Sequence, residues 1–441
     1  MTDKKISGRT IFALATAPAK SGIAIIRISG AGAAHALALL TGAPCPAPNF
    51  AKYSVFKNPI SGEVIDKGLA IYFKAPHSFT GDDVAELHLH GSPAVIREIL
   101  GVLSRVAGMY AAEPGEFTRT AFLNGKLDLL EAEGLADLIN AETSMQKSQA
   151  LRQMSGEVSG FYQEIRTKTI SCLALLEAYI DFPDEEIPES VLTQWHETIK
   201  SLRQSISGTL SDNKCGERVR DGLSIVIIGA PNAGKSSLLN RLARRDAAIV
   251  SQHAGTTRDV IEVQMDIAGY PVVLMDTAGL RQSADEVEEE GISRARVRAG
   301  QADIKLALFD GSKLPEMDAH TKELLDENTI VIFTKSDLGA NGSGLAVSAK
   351  TGQGIEDLLV LIEEKVRDSF GRGASSLITR ARHRNLLTEA ELLLSAAMED
   401  KEIELSCEEL RRAALAIGKI TGKIQVDDVL DIIFSQFCIG K

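Results

Sequence analysis

Three patterns of apolar and polar positions follow one another along the chain. Up to about residue 120, short apolar runs with alternating polar positions predict strands, among them 22–29 and 70–73. From about 127 to 214, apolar residues recur every three to four positions, as on the buried face of a helix. One such stripe comprises Phe161, Ile165, Thr169, Cys172, Leu176 and Tyr179. We therefore predict a small α+β domain followed by helices.

Between 223 and 370, apolar runs are followed by glycine or polar clusters. The runs that predict strands are 223–228, 260–267, 271–275, 330–333 and 345–347. A helix-like segment follows the first run at 237–242. This order of elements is typical of an α/β domain.

Helical periodicity resumes after the glycine- and serine-rich segment 371–376, which we predict to be a linker. One predicted helix face carries Leu386, Ala390, Leu394 and Ala397. Ser406 and Glu409 have the spacing of an N-terminal capping box ahead of Leu410. Because an apolar stripe needs a partner, we expect helices from both sides of the α/β segment to pack together. That segment would then be an insertion whose two ends lie close in space.

The predicted fold is therefore multidomain, α/β and α. Its predicted domains are 1–121, an α+β domain; 122–216, the first part of a helical bundle; 217–373, the inserted α/β domain; and 374–441, the second part of the helical bundle. The 441 residues leave room for about three domains with separate cores.

Composition and charge limit the class of protein. The 44% hydrophobic and 24% charged residues are typical of a soluble protein, and no apolar run is long enough to span a membrane. The first residues lead into no signal-type apolar stretch, and the five cysteines are scattered, so we predict a cytoplasmic location. The net charge of −12 argues against nonspecific nucleic-acid binding by the whole surface.

The strongest chemical signal is the segment 229–236, which has the pattern GxxxxGKS. It lies between a predicted strand and a predicted helix, which is the context of a phosphate-binding loop. The backbone N–H groups of such a loop surround the phosphates. Lys235 is expected to contact the β- and γ-phosphates, and the Ser236 hydroxyl to bind Mg²⁺.

Further motifs follow in the order of a GTPase. Thr257 is expected to be a second Mg²⁺ ligand, Asp276 a carboxylate at the metal, and Gly279 a backbone donor to the γ-phosphate. Asp337 can accept from both the N1–H and the 2-amino group of guanine, a pair of donors that adenine lacks, so GTP is favoured over ATP. The predicted nucleotide site comprises Asn232, Ala233, Gly234, Lys235, Ser236, Ser237, Ser251, Thr256, Thr257, Asp276, Thr277, Ala278, Gly279, Thr334, Lys335, Asp337, Ser348, Ala349 and Lys350.

Two positions depart from the usual GTPase pattern. Thr334 stands where the NKxD motif has an Asn that braces the base-binding loop against the phosphate loop. We therefore expect looser nucleotide binding with the preference for guanine kept. Leu280 stands where Ras-like enzymes have the Gln that orients the attacking water. The acidic run 285–290 offers replacements, although such a run also suits the solvated first turn of a helix.

Three polar features each allow two interpretations. Asn232 either helps to bind a monovalent cation against the triphosphate or shapes the phosphate loop. Glu86, His88 and His90 share one face of a predicted strand, and a polar strand surface is favoured there over a metal site. The last four residues, which begin with Cys438, follow an apolar helix-like run, and physical reasoning alone favours a buried Cys438 followed by a frayed end.

Taken together, the motifs resemble the MnmE (TrmE) family of tRNA-modification GTPases. The resemblance rests on PNAGKS in the phosphate loop, GTTRD, DTAGLR and the terminal CIGK. The segments 79–84 and 121–128 extend it into the first domain. It implies a first domain that binds tetrahydrofolate and dimerises, a helical domain, and a Ras-like P-loop GTPase domain inserted into the helical domain.

The resemblance also implies roles for individual residues. Glu288 matches the family's catalytic glutamate and would act with Asn232 and Lys235. K⁺-stimulated dimerisation of the GTPase domains would take the place of an arginine finger. The implied K⁺ site comprises Asn232 and the backbone around Ser251, His253 and Thr256. The implied folate site comprises Arg27, Glu86, Lys126 and the terminal Lys441.

In function, the resemblance implies GTP hydrolysis with Mg²⁺ and K⁺ in a homodimer that acts with an FAD-containing MnmG-type protein. The pair would add an aminomethyl or carboxymethylaminomethyl group to C5 of the wobble uridine of certain tRNAs. The one-carbon unit would come from 5-formyl- or methylene-tetrahydrofolate.

Two alternative functions remain. The first is a ribosome-assembly or signalling GTPase switch, against which stand the helical C-terminal segment and the lack of a second GxxxxGKS or a KH-type GxxG context. The second is a one-carbon transferase whose GTPase domain is only regulatory. Folate binding would be expected for the tRNA-modifying GTPase and for the one-carbon transferase, but not for the GTPase switch. Dependence of tRNA modification on GTP turnover separates the second.

Overall fold

The structure is a computed structural model, which describes residues 9–181, 189–244, 262–276, 297, 299–339, 344–370, 376–399, 402–424, 427–435 and 437–440. The chain forms two compact units, Met1–Ala136 with Gly418–Lys441 and Asp137–Ile417. The predicted boundary between 121 and 122 falls inside a helix, and residues from 418 onward belong with the first domain. Among the described residues, no helix has the length and apolar character needed to cross a membrane.

The first unit contains a six-stranded sheet with the order β3-β4-β5-β2-β1-β6. Its strands are β1 Thr10–Leu14, β2 Ser21–Ser29, β3 Lys52–Lys57, β4 Val64–Phe73, β5 Val84–Gly91 and β6 Met109–Ala111. Its helices are α1 Ala33–Thr41, α2 Pro93–Leu103, α3 Glu116–Leu123, most of α4 Leu129–Ile139, and the last helix of the chain, α14 Asp427–Ser435. One sheet face packs with α1 and α2 into a core that includes Ile26, Leu37, Leu87 and Ile99.

The C-terminal segment is bound to the first unit. The apolar residues of α14 pack against α4. Beyond α14, Ile439 forms an antiparallel bridge with Pro114. Gly440, at φ 100°, lies so close to the Leu14 carbonyl oxygen that a Cβ would approach it to 2.1 Å. The frayed end that physical reasoning favoured after Cys438 is therefore wrong for residues 439–440, and Cys438 itself is exposed and not buried as that reasoning predicted.

In the second unit, helices from both sides of the α/β segment pack against each other. They are α5 Ser144–Met154, α6 Glu157–Asp181, α7 Glu189–Leu210, α8 Cys215–Asp221, α12 Ala381–Ala397 and most of α13 Ile403–Ile420. The buried face of α6 carries Val158, Tyr162, Ile165, Thr169, Cys172 and Leu176. Tyr162 is thus fully buried where the predicted stripe had Phe161, and its hydroxyl donates to the Leu377 carbonyl oxygen at 3.1 Å.

One helix start differs from the sequence prediction. Helix α13 begins at Ile403, so Ser406 lies inside the helix and does not cap it. Its buried hydroxyl donates instead to the carbonyl oxygen of Ala397 at 2.9 Å. A tertiary hydrogen bond therefore uses the side chain that the local pattern assigned to a capping box.

The two ends of the α/β segment are held together by Arg384 of α12. Its Nη2 lies 2.7 Å from Asp212 and 2.7 Å from Glu217. Gly216 of α8 packs against the chain at Ile378, where a Cβ would lie 2.2 Å from the carbonyl oxygen. Asp212, Gly216 and Glu217 lie at the start of the α/β segment, whereas Ile378 and Arg384 follow its end. The start and the end of that segment therefore lie side by side.

The α/β segment contains a six-stranded sheet with the order β12-β11-β10-β7-β9-β8, parallel except for the edge strand β8. Its strands are β7 Leu223–Gly229, β8 Glu262–Ile267, β9 Tyr270–Asp276, β10 Ile304–Asp310, β11 Thr329–Thr334 and β12 Leu345–Ala346. Its described helices are α9 Lys235–Ala243, α10 Ala319–Glu323 and α11 Ile355–Phe370, with short 3-10 turns at Gly311–Lys313 and Ser336–Leu338. The carboxyl ends of β7, β9, β10 and β11 meet at one edge, where open α/β sheets bind ligands.

The amino end of α5 contacts the turn between β8 and β9. The Met145 N–H donates to the Gly269 carbonyl oxygen at 3.2 Å, and the Met145 side chain packs against the core of the α/β domain. Thr143 caps α5 through reciprocal hydrogen bonds with Gln146. Gly269 has φ 88°, and a Cβ there would lie 2.6 Å from the Ser144 hydroxyl, so glycine permits the approach.

Candidate functional site

The loop between β7 and α9 concentrates backbone N–H groups at the amino end of α9. Gly234, immediately before α9, has φ 96°, and Asn232 has φ 63°, both in the left-handed region. At Gly229 a Cβ would lie 2.6 Å from the Leu308 carbonyl oxygen. N–H groups gathered at a helix start attract anions, so the local geometry is that of a phosphate site. The left-handed backbone of Asn232 also gives this residue a loop-shaping role.

Lys235 is buried within this loop, with 8% of its surface exposed. Its ammonium donates to the carbonyl oxygens of Gly229 at 2.7 Å and Ala230 at 2.9 Å. Burial lowers the pKa of Lys235, although the nearby carboxylates of Asp276 and Asp318 oppose the shift. The loop thus contains a cation that a phosphate group can pair with.

Ser236 and Asp276 bring two oxygen donors together beside the phosphate loop. The Ser236 hydroxyl donates to Asp276 Oδ2 at 2.7 Å. The contact arises because β7 and β9 are parallel neighbours, with Ile227 paired to Asp276. Hydroxyl and carboxylate oxygens are the donors that Mg²⁺ prefers, so the pair fits the predicted magnesium site.

A cleft of about 490 Å³ adjoins the phosphate loop. The predicted nucleotide-site residues that line it are Gly234, Ser237, Thr334, Lys335, Asp337, Ser348, Ala349 and Lys350. Asp337 Oδ1 accepts a hydrogen bond of 2.7 Å from the Ser348 hydroxyl, and Ser348 is buried. The hydroxyl fixes the orientation of a carboxylate that is otherwise exposed, as recognition of a base edge requires.

Thr334 joins the two halves of this site. It is buried at the end of β11, and its hydroxyl donates to the Ala233 carbonyl oxygen of the phosphate loop at 2.7 Å. A hydroxyl contact therefore connects the base-binding loop and the phosphate loop, where the NKxD pattern would use an Asn. The expected loosening of nucleotide binding stays a prediction.

One carboxylate beside the cleft, Asp310, is not among the residues predicted from the sequence. Asp310 ends β10 beside Thr334, and its Oδ2 lies 2.6 Å from the ammonium of Lys335. Burial raises the pKa of Asp310, but hydrogen bonds from Lys335 and Ser312 outweigh burial and hold the pKa below its usual value. An Asp directly after the apolar run 304–309 was the available signal, but without a recognised motif it did not stand out.

Several predicted residues lie outside the described part of the chain. They are Ser251, His253, Thr256, Thr257, Thr277, Ala278, Gly279, Glu288 and Lys441. The described part of the predicted nucleotide site therefore consists of the phosphate loop, Asp276 and the cleft that Asp337 lines.

In the first unit, two of the four predicted folate residues, Arg27 and Lys126, lie beside the loop between β4 and β5, and a third, Glu86, is paired with Arg27. Arg27 and Glu86 face each other on β2 and β5, with Nη2 and Oε1 2.9 Å apart. The Arg27 guanidinium lies 5.4 Å from the ring centroid of Phe79, and the Lys126 ammonium donates to the Pro76 carbonyl oxygen at 3.1 Å. Phe79 and Pro76 both belong to the loop between β4 and β5, so Arg27 and Lys126 both lie beside that loop, and Glu86 is connected to it through its ion pair with Arg27.

The polar face of β5 does not assemble a metal site. His88 Nε2 lies 3.3 Å from Glu86 Oε2, but His90 Nδ1 pairs with Asp66 at 2.8 Å. Within the described ranges, no group of three or more His, Cys, Asp or Glu residues could hold a metal ion. The favoured interpretation, a polar strand surface, agrees with these contacts.

Comparison with known proteins covers nearly the whole chain. Residues 10–126 match the family model described as the GTP-binding protein TrmE N-terminus, and residues 129–438 match the MnmE helical domain. A protein from Paramagnetospirillum magneticum named tRNA modification GTPase MnmE is 50% identical over 98% of this chain and 99% of its own. The chain belongs to the MnmE family.

Other MnmE relatives are similar over the same length. Proteins with the same name from Rhodospirillum rubrum and Parvibaculum lavamentivorans are 48% and 47% identical over 98% of this chain and 99% and 100% of their own. The G domain of the T. maritima FeoB iron transporter is a solved structure similar to 34% of this chain and 99% of its own, with 22% identity and a TM-score of 0.25. The resemblance to the MnmE family that the motifs indicated is confirmed.

Proposed function

We propose that this chain hydrolyses GTP as part of tRNA modification. The observation that supports the proposal is the placement of three groups at one edge of the sheet. They are the Lys235 ammonium, the Ser236–Asp276 pair and the Ser348–Asp337 pair, and all three lie at the phosphate loop or the cleft beside it. These groups fit the phosphates, the metal ion and the base of one guanine nucleotide. Membership of the MnmE family supports tRNA as the molecule that is modified.

In the proposed hydrolysis, each described residue has a physical role. Lys235 neutralises charge on the β- and γ-phosphates, and Ser236 with Thr257 would hold Mg²⁺, with Asp276 beside the metal. Magnesium would stabilise the charge that develops on the transferred phosphoryl group. Glu288 is proposed to position the attacking water, because Leu280 has no group that can do so.

A potassium ion is proposed to supply the charge that an arginine finger brings in other GTPases. The side-chain oxygen of Asn232 would be one ligand, since this residue is exposed at the phosphate loop. The proposed backbone ligands lie around Ser251, His253 and Thr256. In this proposal K⁺ stimulates dimerisation of the GTPase domains, each of which is inserted in its helical domain.

The first domain is proposed to bind a tetrahydrofolate and to form the homodimer. Glu86 can accept from the 2-amino and N3–H groups of a pterin, while Arg27, Lys126 and Lys441 suit the glutamate tail. The partly buried Arg27–Glu86 pair supports this proposal because ligand groups would meet oriented charges there. The folate would supply the one-carbon unit.

The complete proposed reaction takes place with an FAD-containing MnmG-type partner. It adds an aminomethyl or carboxymethylaminomethyl group to C5 of the wobble uridine, in the cytoplasm. Because the net charge of −12 would repel an RNA backbone, we propose that the partner contributes to RNA binding.

The first experiment measures steady-state GTP hydrolysis in KCl and in NaCl at matched ionic strength. We expect a rate at least about tenfold higher in KCl, because a bound cation would lower the barrier by about 1.4 kcal/mol or more. Equal rates would remove the cation from the mechanism while leaving GTP hydrolysis intact. Absence of GTP binding in both salts would overturn the proposed function.

A second experiment reconstitutes the modification with the partner, FAD, methylene-tetrahydrofolate and a tRNA substrate. Modified wobble uridine is expected with GTP, and none with a GTP analogue that binds but is not hydrolysed. Modification with the analogue would favour a transferase with a regulatory GTPase domain. Failure of the purified chain to bind folate would favour a GTPase switch without modification chemistry.

A further inference from the structure

We propose that Asp310 is a positioning residue for the guanine site, because it fixes Lys335 at the wall of the base-binding cleft. The inference rests on the proposed binding of guanine nucleotides. Asp310 belongs to none of the GTPase motifs, and it acts through Lys335 and does not itself touch the nucleotide.

The ion pair is short and partly shielded from water. Lys335 Nζ lies 2.6 Å from Asp310 Oδ2, and the two side chains are 35% and 12% exposed. The other carboxylate oxygen, Oδ1, accepts from the Ser312 N–H at 3.1 Å and from the Ser312 hydroxyl at 2.6 Å. Because Ser312 fixes Oδ1, the position of Oδ2 is also fixed, and Oδ2 holds the Lys335 ammonium in one place.

Lys335 occupies an unusual position for a long side chain. Its backbone has φ 60°, in the left-handed region that non-glycine residues seldom adopt. The residue lines the cleft together with Asp337. Because its ammonium is held at Asp310, the Lys335 side chain is restrained at the cleft wall, where its alkyl stem can pack on the face of a base.

The end of β10 therefore holds the base-binding loop at two adjacent residues. The Thr334 hydroxyl lies 3.2 Å from the Phe309 carbonyl oxygen, and Lys335 is paired with the next residue, Asp310. A lysine freed from Asp310 would sample other rotamers and would have to be ordered when a nucleotide binds. That ordering cost lowers affinity for the nucleotide without changing the chemical step.

A second Asp–Lys pair, between β10 and the turn that precedes β11, provides a control. Lys305 lies in β10 and its ammonium is 2.6 Å from Asp326 Oδ2, the same length as in the Lys335–Asp310 pair. Neither Lys305 nor Asp326 lines the cleft. Asp326→Asn therefore makes the same chemical change to an ion pair of the same length away from the nucleotide.

The experiment uses full-length protein with Asp310→Asn, Asp326→Asn, Lys335→Ala and the Asp310→Asn/Lys335→Ala double variant. Asn at 310 keeps one side-chain oxygen for the Ser312 turn and replaces the oxygen that holds Lys335 by an uncharged NH₂ group, which cannot accept from the ammonium. The measurements are the dissociation constant of fluorescent GDP, and KM and kcat for GTP. Thermal unfolding of each variant shows whether it is folded.

For Asp310→Asn we expect the dissociation constant for GDP and the KM for GTP to rise about tenfold, as loss of a charge-assisted hydrogen bond predicts. The kcat at saturating GTP should stay within about twofold. Asp326→Asn should leave both binding constants unchanged. The double variant should match Lys335→Ala, because Asp310 acts through that lysine.

Equal nucleotide binding by Asp310→Asn and wild type would overturn the inference, and so would additive effects in the double variant. The same loss in Asp326→Asn as in Asp310→Asn would also overturn it, since general loss of stability would then explain the result. These outcomes leave wild-type binding intact. Wild-type protein that binds neither GTP nor GDP would overturn the proposed function first, and this inference with it.

Discussion

The hydroxyl oxygen of Thr334 lies 2.7 Å from the carbonyl oxygen of Ala233 in the phosphate loop. The same hydroxyl lies 3.2 Å from the Phe309 carbonyl oxygen. A hydroxyl has one proton, whereas the side-chain amide of Asn has two. Thr334 therefore gives one strong hydrogen bond between the loops at a position where Asn could satisfy two carbonyl groups.

This contact predicts how substitutions at position 334 change nucleotide affinity. Thr334→Val keeps the shape and removes the hydroxyl, so GDP should dissociate about five- to tenfold faster, equivalent to about 1–1.4 kcal/mol. Thr334→Ser keeps the hydroxyl and should stay close to wild type. Stopped-flow dissociation of fluorescent GDP measures both. A Val variant as slow as wild type would show that the hydroxyl contact does not hold the nucleotide.

Asp337 is predicted to determine which base is bound. Asp337→Asn should weaken GTP binding at least about tenfold and improve XTP binding, because an amide can donate to the 2-oxo group of xanthine. Competition of GTP, XTP and ATP for the labelled site measures the change. Ser348→Ala removes the hydroxyl that orients Asp337 and should weaken GTP without favouring XTP. A preference for GTP retained in Asp337→Asn would contradict the assignment of the base site.

Asn232 is the position at which the two interpretations of the loop can be separated. Asn232→Gly permits the left-handed backbone and removes the side-chain oxygen, whereas Asn232→Ala disfavours that backbone as well. If Asn232 binds K⁺, both variants should hydrolyse GTP at equal rates in KCl and NaCl. If it only shapes the loop, Asn232→Gly should keep the stimulation by K⁺. Hydrolysis rates in the two salts decide between the roles.

Glu86 is predicted to be necessary for folate binding. Glu86→Gln replaces an acceptor by an amide whose NH₂ group opposes the donors of a pterin, so affinity for 5-formyl-tetrahydrofolate should fall at least about tenfold. Lys74→Ala is the control, since it breaks the Lys74–Asp83 ion pair of 2.9 Å beside the same loop with a lysine that is 59% exposed. Calorimetric titration of the purified chain measures both. Unchanged affinity in Glu86→Gln would remove the carboxylate from the folate site.

The features predicted best from the sequence are those that need a fixed succession of neighbouring elements along the chain. The strand–glycine–helix context located β7, the phosphate loop and Lys235, because a phosphate loop needs all three in succession. The pairing of Ser236 with Asp276 follows from parallel strands whose ends meet. Asp337 was identifiable because a carboxylate after a strand matches the donors of guanine.

The remaining features depend on contacts between distant parts of the chain. Tyr162 occupies the fully buried position on α6 where Phe161 was predicted. Phe161 lies four residues before Ile165 and Tyr162 lies three before it, and both spacings fit the same apolar stripe, so the sequence pattern does not choose between them. The Ser406 hydroxyl donates to the Ala397 carbonyl oxygen, and the spacing of residues around Ser406 does not predict that contact. Asp310 is brought next to Lys335 only because β10 and β11 are paired side by side in the sheet.

The contact of Met145 with Gly269 has a thermodynamic consequence for the MnmE family member described here. The turn at Gly269 joins β8 to β9, and β9 ends at Asp276, the carboxylate proposed to lie beside the metal. A ligand of the helical bundle that favours one position of α5 would therefore be connected to the proposed nucleotide site through the Met145–Gly269 contact and β9. Binding free energies are reciprocal, so the factor by which such a ligand changes the affinity for GTP equals the factor by which GTP changes the affinity for that ligand.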